Sequence, residues 1–320
     1  MRNHRRLVLG AALLSLAMLA GACGSGGDET ESPTSPGTTA PPTTTTSPTE
    51  TSKGAVTVGV SAAFAENQIV AEMYAQVLEN AGFEVSRELD FESREISQPA
   101  MENGEIDIKP EYLGSLLVFL GGEARGNANE NASLLRPLLE EQQITLLDPS
   151  AANDTNVFVV TQETADANGL AIMSDLVPVA GDLTLGGPPE CPDRPFCIPG
   201  LAETYGITFG EFIPLDFGGR VAALQSGDID VALLFSTDAV IGENGWVPLR
   251  DDGALQQNEA ITPVVRTEVL DANPEIADLL NAVSARLDTP TMIELNGRVQ
   301  IEHEDAADVA ADFLTEQGLI

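Results

Sequence analysis

The sequence predicts an α/β protein whose folded part, residues 54–320, consists of two lobes of similar build. Three observations carry that expectation. Strand-like and helix-like apolar patterns alternate along the segment. Its opening reads strand, helix, strand, which implies a parallel sheet. One local pattern also occurs twice. In the first copy Arg94 leads through Pro-Ala-Met-Glu-Asn to Gly104-Glu105-Ile106-Asp107; in the second Arg220 leads through Ala-Ala-Leu-Gln-Ser to Gly227-Asp228-Ile229-Asp230. Each copy reads as an arginine near a helix start, a helix stopped by glycine, and a strand opening with acid-Ile-Asp.

The N-terminus has its own logic. Arg2, Arg5 and Arg6 precede an apolar run from Leu7 to Ala20 and then Gly21-Ala22-Cys23. This is the layout of a secretory signal peptide over residues 1–22. The run of about 14 residues is shorter than the roughly 18 to 20 of a permanent membrane span. Cys23 directly after Ala-Gly-Ala resembles the lipobox of bacterial lipoproteins, so Cys23 is expected to be lipidated and to hold the chain on the outer face of the cell membrane without spanning it. Residues 24–53 are Gly, Ser, Thr, Pro and Glu almost throughout, with no large apolar residue. Such a composition reads as a disordered tether, because it has too little apolar surface to offset the entropy of ordering.

Within the folded part Ala55–Ser61 reads as a buried strand, and Ile69, Val70, Met73, Val77 and Leu78 recur at helical spacing before Gly82. Glu84–Leu89 alternates as a second strand, a helix stops at Gly104, and Ile106–Ile108 opens a third strand. Further strands are expected at Ile144–Asp148, Val157–Thr161, Leu183–Gly187, Phe212–Asp216, Ile229–Phe235 and Ile261–Arg266. The C-terminus is expected to be helical: Asn273 and Thr289 each stand as cap before a proline, and Asp305–Gln317 ends at Gly318.

Composition excludes several function classes. The chain has 50 acidic and 15 basic residues, a formal net charge of −35, and nucleic acid or an anionic lipid surface would repel it. No phosphate-loop glycine pattern, Gly-x-Ser-x-Gly elbow or His/Cys metal spacing occurs, and His303 is the one histidine after the leader. No catalysis, cofactor or metal is therefore expected. Cys191 and Cys197 lie in a proline-rich turn of an exported chain and are expected to form a disulfide that stiffens a surface loop.

Collinear blocks then point to a family. They are VGVSAAFAENQIVAEMYAQVLENAGF (Val58 to Phe83), SRE (Ser93 to Glu95), NGEIDIKPEYLGSLL (Asn103 to Leu117), LTLGGPPE (Leu183 to Glu190), RPFCIPGLAETYGI (Arg194 to Ile207), LQSGDIDVALLFSTDAVI (Leu224 to Ile241) and PVVRTEVLDANPEIADLLNAVSARL (Pro263 to Leu287). In these the chain resembles the glycine betaine, choline and carnitine binding proteins of osmoprotectant ABC transporters, the ProX/OpuAC type. The resemblance implies a type 2 periplasmic-binding-protein fold, two α/β lobes joined by two crossing strands with a ligand cleft between. It maps residues 54–156 plus 257–320 to lobe one and 157–256 to lobe two, with Val157–Thr161 and Thr262–Arg266 as the crossings. It also implies a monomer that takes a small-molecule solute to the transmembrane subunits of an ABC permease.

The resemblance places the ligand site at strand ends, where open α/β sheets bind ligands. It names Phe64, Glu66 and Asn67; the segment Lys109 to Ser115 with Tyr112 and Ser115; the Thr155-Asn156 hinge; and the turn Phe235-Ser236-Thr237-Asp238. A quaternary ammonium has no N–H to donate and is held by dispersion and by aromatic faces. Many relatives have Tyr where this chain has Lys109, Asn156 and Val221, so the rings left for such a site are Tyr112, Phe64, Phe217 and Phe235. The depleted cage leaves open a different small polar or hydroxylated solute. Lys109 has two readings: a cation for a ligand carboxylate, or a partner of Glu111 or Asp107. Arg94 and Arg220 are expected to brace their loops through buried ion pairs, and Asp238 to cap the helix after Thr237.

Overall fold

The computed structural model describes residues 53–320; the expected signal peptide, the lipidation of Cys23 and all of the expected tether except Lys53 lie outside the described residues. Lys53 is bonded to the folded part, its backbone N–H donating to Gly82 O and its ammonium pairing with Glu275. No helix among the described residues is long and apolar enough to cross a membrane.

The chain first builds β1 (Ala55–Ser61), α1 (Ala65–Asn80), β2 (Glu84–Phe91), α2 (Arg94–Glu102), β3 (Ile108–Tyr112), α3 (Leu113–Phe119), α4 (Ala128–Glu140) and β4 (Ile144–Leu146). It then crosses to a second lobe of β5 (Asn156–Val160), α5 (Gln162–Asn168), β6 (Thr184–Gly187), α6 (Ile198–Tyr205), β7 (Glu211–Pro214), α7 (Phe217–Ser226), β8 (Val231–Phe235), α8 (Ala239–Glu243) and β9 (Val247–Leu249). It returns to complete the first lobe with β10 (Ile261–Arg266), α9 (Thr267–Ala272), α10 (Glu275–Ser284), α11 (Thr289–Gln300) and α12 (Ala306–Glu316).

Two five-stranded sheets result, ordered β2-β1-β3-β10-β4 and β7-β6-β8-β5-β9. The first three strands of each are parallel, as the strand-helix-strand opening implies. The fourth corrects that expectation: β10 runs antiparallel to β3 and β4, and β5 antiparallel to β8 and β9. The reason is connectivity. Both strands receive the chain from the other lobe, so they enter their sheet against the direction set by the local strand-helix-strand crossovers. The passages between lobes, residues 147–155 and 250–260, meet in an antiparallel bridge between Asn153 and Ala260. The two segments expected as crossings are the sheet strands β5 and β10 into which these passages lead.

Helices cover both faces of each sheet, so residues of the inner strands β3, β8 and β10 are buried on both sides. Neighbouring residues enter different cores: Val265 packs with α1, α10, α11 and α12 residues such as Met73, Leu280, Met292 and Phe313, whereas Val264 packs with Met101, Leu116 and Leu135 from α2, α3 and α4. In the second lobe Val160 joins Leu185 and Leu201, and Val159 joins Leu224 and Trp246. Such two-sided burial explains the near-continuous apolar runs at Val157–Val160 and Val231–Leu234.

Helix ends depart from expectation at two places. Asp288, not Thr289, caps α11, its carboxylate accepting from Thr291 N–H, while Thr289 Oγ1 accepts from Asn153 N–H at the hinge. Asn273 makes no side-chain cap for α10. The C-terminal end of α11 reaches the second lobe, where Gln300 Oε1 accepts from Ala239 N–H at the start of α8.

Candidate functional site

A cavity of about 370 Å³ lies between the lobes where the parallel strands end. The first lobe contributes Ser61 at the end of β1, Phe64 in the turn after it, Asn67 of α1, the start of α2 with Ser93, Arg94 and Glu95, most of β3, and Ser115, Val118 and Phe119 of α3. The second lobe contributes Leu233 and Phe235 of β8 and a wall from Pro188 to Cys197. Asp154, Asn156 and Glu259 close the hinge side.

Of the twelve candidate residues the structure brings seven to this cavity: Phe64, Asn67, Lys109, Tyr112, Ser115, Asn156 and Phe235. Phe64, at the N-terminus of α1, packs its ring 4.4 Å from that of Phe235 and 5.9 Å from that of Tyr112, so three rings from both lobes meet at one end. Glu66, Thr155, Phe217, Ser236 and Thr237 do not line it. Glu66 is buried behind Tyr112, with Oε1 2.9 Å from the Tyr112 hydroxyl. Thr155 N–H donates to Ser236 Oγ, and Thr237 N–H to Asp154, so these residues fasten the hinge. Phe217 faces Arg220, whose guanidinium also sits 5.6 Å from the Phe235 ring centroid.

Residues 109–112, expected at the end of the third strand, themselves form most of the central strand β3, hydrogen-bonded to β10. That placement decides how Lys109 is used. Its ammonium is 1 % exposed, 2.8 Å from Glu111 and 2.9 Å from Gln98 Oε1. Glu111 also takes Arg94 at 2.7 Å, and Arg94 reaches Ser115 Oγ. Lys109 is therefore a partner of Glu111 within the cavity wall; Asp107 instead pairs with Arg266. Arg94 is braced by an ion pair as expected. Arg220 is not: it donates to the carbonyls of Leu233 and Asp216. Asp238 stands at the start of α8 without capping it, because its carboxylate accepts from Phe235 N–H and from Gln300.

Burial sets the protonation of the surrounding acids. It pushes Glu259 up to about 7 against the pull of Ser115 and Arg94. It pushes Glu66 up to about 7 and Asp238 to about 6, and it raises Asp154, whose neighbours Glu66 and Asp238 add repulsion. Glu111 goes the other way: burial opposes its charge, but Arg94 and Lys109 overcome that and hold it at about 2. Burial lowers Lys109, partly offset by Glu111. The cavity thus keeps one fixed carboxylate paired with two cations, and other acids that shed charge readily.

The second-lobe wall is what the sequence reading missed. Cys191 and Cys197 are joined by the expected disulfide; both are buried, whereas Pro192, Asp193 and Pro195 between them are exposed and the loop also lines the cavity. Glu190, Asp193, Arg194 and Phe196 all line the cavity, and Arg194 pairs across the cleft with Glu95 at 3.0 Å. Its Nε–H is buried without a hydrogen-bond acceptor. The block Arg194–Cys197 was visible as sequence, yet nothing in it says which way a loop folds.

Residues 54–316 match the family described as the substrate binding domain of ABC-type glycine betaine transport systems. The chain belongs to this family. Among OpuAC-family relatives, the glycine betaine-binding protein YehZ of Escherichia coli is 30% identical over 79% of this chain and 88% of its own length. The carnitine transport binding protein OpuCC of Listeria monocytogenes is 28% identical over 82% of this chain and 87% of its own. A solved glycine betaine/carnitine/choline ABC transporter structure superposes with a TM-score of 0.66 at 25% identity, covering 83% of this chain and 98% of that one. The two-lobed arrangement is thus the type 2 periplasmic-binding fold. OpuAC-family proteins are transport substrate-binding proteins and act outside the cytoplasm.

Proposed function

We propose that this protein captures glycine betaine or a related quaternary ammonium solute in the cavity between its lobes and delivers it to the transmembrane subunits of an ABC importer. The observation that carries the reading is the meeting of Phe64, Tyr112 and Phe235 from two lobes at one end of the cavity, within a family whose named relatives bind glycine betaine and carnitine. Both of those solutes pair a trimethylammonium group with a carboxylate. The rings offer the ammonium dispersion and negative π-faces. Arg194, with its buried and unpaired Nε–H, offers the carboxylate a charge-assisted donor. Lys109 and Arg94 share the carboxylate of Glu111, which offsets part of their repulsion of a cation. Solute contact is assigned to Phe64, Asn67, Tyr112, Ser115, Asn156 and Phe235, with Arg194 and Phe196 opposite. Lobe one comprises residues 54–156 and 257–320, lobe two residues 157–256. The protein works as a monomer without catalysis, and its leader and Cys23, by their sequence, export it and anchor it by lipid to the outer face of the membrane.

The test is a thermal-shift panel of glycine betaine, choline, carnitine, proline and ectoine on the purified chain. A solute at 100 times its dissociation constant adds about 2.7 kcal/mol to the folded state. Stabilisation by glycine betaine or carnitine is the expected result. A response confined to proline or ectoine would assign the site to a different polar solute.

A further inference from the structure

The proline-rich segment from Pro188 to Cys197 is a weakly bonded piece of backbone in a demanding place. Prolines at 188, 189, 192 and 195 remove four backbone donors. What remains is a few short-range turns: Cys191 N–H to Pro188 O, Asp193 to Glu190, Arg194 to Cys191 and Cys197 to Arg194. Hydrogen bonds from outside to its backbone are few too, Asn156 and Gln256 both donating to Phe196 O. Yet this segment presents Arg194 and Phe196 to the cavity, and Arg194 reaches the opposite lobe at Glu95. The disulfide ties the two ends of the stretch that carries them. Cys191 is seated against β6, where a Cβ on Gly187 would lie 3.2 Å from its sulfur, and Cys197 opens α6. Both cysteines are buried in the second-lobe core with Leu185 and Leu201.

We infer that Cys191 and Cys197 are positioning residues for solute binding: their disulfide presets Arg194 and Phe196 against the cavity, so that affinity depends on the bond as well as on the residues that touch solute. The inference rests on the proposed function for its ligand but not for its geometry. Without the bond, the turn must be ordered each time the lobes close, and the cost falls on binding. A disulfide that merely stabilised the lobe would change the unfolding midpoint and leave the affinity of the folded protein alone.

Two variants, Cys191→Ser/Cys197→Ser and Cys191→Ala/Cys197→Ala, guard against an effect of burying two hydroxyls, and each is combined with Arg194→Gln. Titration calorimetry with glycine betaine is performed on folded protein below the unfolding midpoint. Loss of the disulfide is expected to weaken binding about tenfold, the cost of ordering Arg194 and Phe196 anew. In the Arg194→Gln background the further loss is expected to be smaller, because the bond acts through that residue. Unchanged affinity in both variants, or an undiminished loss in the Arg194→Gln background, overturns the inference. Amide hydrogen exchange across residues 188–197 of the ligand-free protein decides it without any solute: faster exchange in both variants supports presetting, and equal protection overturns it. Glycine betaine failing to bind the unmodified protein would count against the proposed function alone, leaving exchange to judge the disulfide.

Discussion

Lys109 shows how much a single residue's meaning depends on its neighbours. As the only lysine between Gly54 and the C-terminus it invites a role in ligand binding, but an ammonium that is 1 % exposed on a central strand needs a fixed counter-charge, and Glu111 two residues on supplies it. Residues two apart on a strand share a face, so this pairing was one of the two readings legible beforehand. Arg94 as the second partner of Glu111 was not, because it comes from a separate helix. Lys109→Ala is expected to cost about 2 kcal/mol or more in urea unfolding: Glu111 keeps Arg94 as its counter-charge, but Gln98 Oε1 loses its donor and the buried stem of Lys109 leaves a void. Lys109→Met keeps most of the side-chain volume; a loss equal to that of the alanine variant assigns the cost to charge, and a much smaller loss assigns it to packing.

At the scale of elements, the repeated acid-Ile-Asp pattern is a shared joint between helix and sheet. Gly104 and Gly227 end α2 and α7 with φ of 77° and 78°, a left-handed turn that favours glycine. Asp107 then accepts from Thr57 N–H at 2.9 Å, and Asp230 from Thr184 N–H at 2.8 Å, each at the side of its lobe's central parallel strand. Ile106 and Ile229 fill the space over Gly59 and Gly186. The two arginines of the echo are not equivalent: Arg94 begins its helix and pairs with Glu111, whereas Arg220 lies one turn into its helix and binds carbonyls. The joint was legible because it is local in sequence; the arginines diverge because each answers to a different surrounding. The joint makes a graded prediction. A Cβ at Gly59 would stand 2.4 Å from Cγ2 and 3.0 Å from Cβ of Ile106, whereas at Gly186 the severe contact, 2.4 Å, is only with the terminal Cδ1 of Ile229. Gly59→Ala should therefore destabilise by about 1–3 kcal/mol, as overpacking does, and Gly186→Ala by less. Chemical denaturation of both variants checks the order.

Over the whole molecule, the lobes are coupled through buried carboxyls. Glu66 from the first lobe, Asp154 from the passage between lobes and Asp238 from the second meet around Thr237, Tyr112 and Asn296, with Arg220 as the cation nearest Asp238. Burial raises all three carboxyls, with mutual repulsion adding to the shift of Glu66 and Asp154. The folded state therefore holds protons that the unfolded chain has released. Their contribution to stability is complete below the ordinary carboxylate range and is lost as pH rises through about 6 to 7, where Asp238 and Glu66 ionise. Glu111 behaves oppositely: its contribution holds above the ordinary range and disappears only as pH falls toward about 2. The unfolding midpoint should thus fall between pH 5 and pH 8, and Glu66→Gln, which cannot ionise, should flatten the fall, each unit of raised pKa being worth about 1.4 kcal/mol. A midpoint that is level across that interval would contradict this account of the hinge.

The sequence by itself determined most elements, the alternation that makes an α/β protein, the doubled glycine-stopped joint and the family. These depend on periodicity and on local backbone preference, which act over a few residues. Only the tertiary structure decided that β5 and β10 run against their neighbours, that Lys109 is buried against Glu111 and Gln98, and that the disulfide loop brings Arg194 to the cavity. The strand directions and the place of the loop follow from contacts between segments far apart in the chain, and the use of Lys109 from its burial on a central strand; in each case burial and pairing in three dimensions override what any stretch specifies alone.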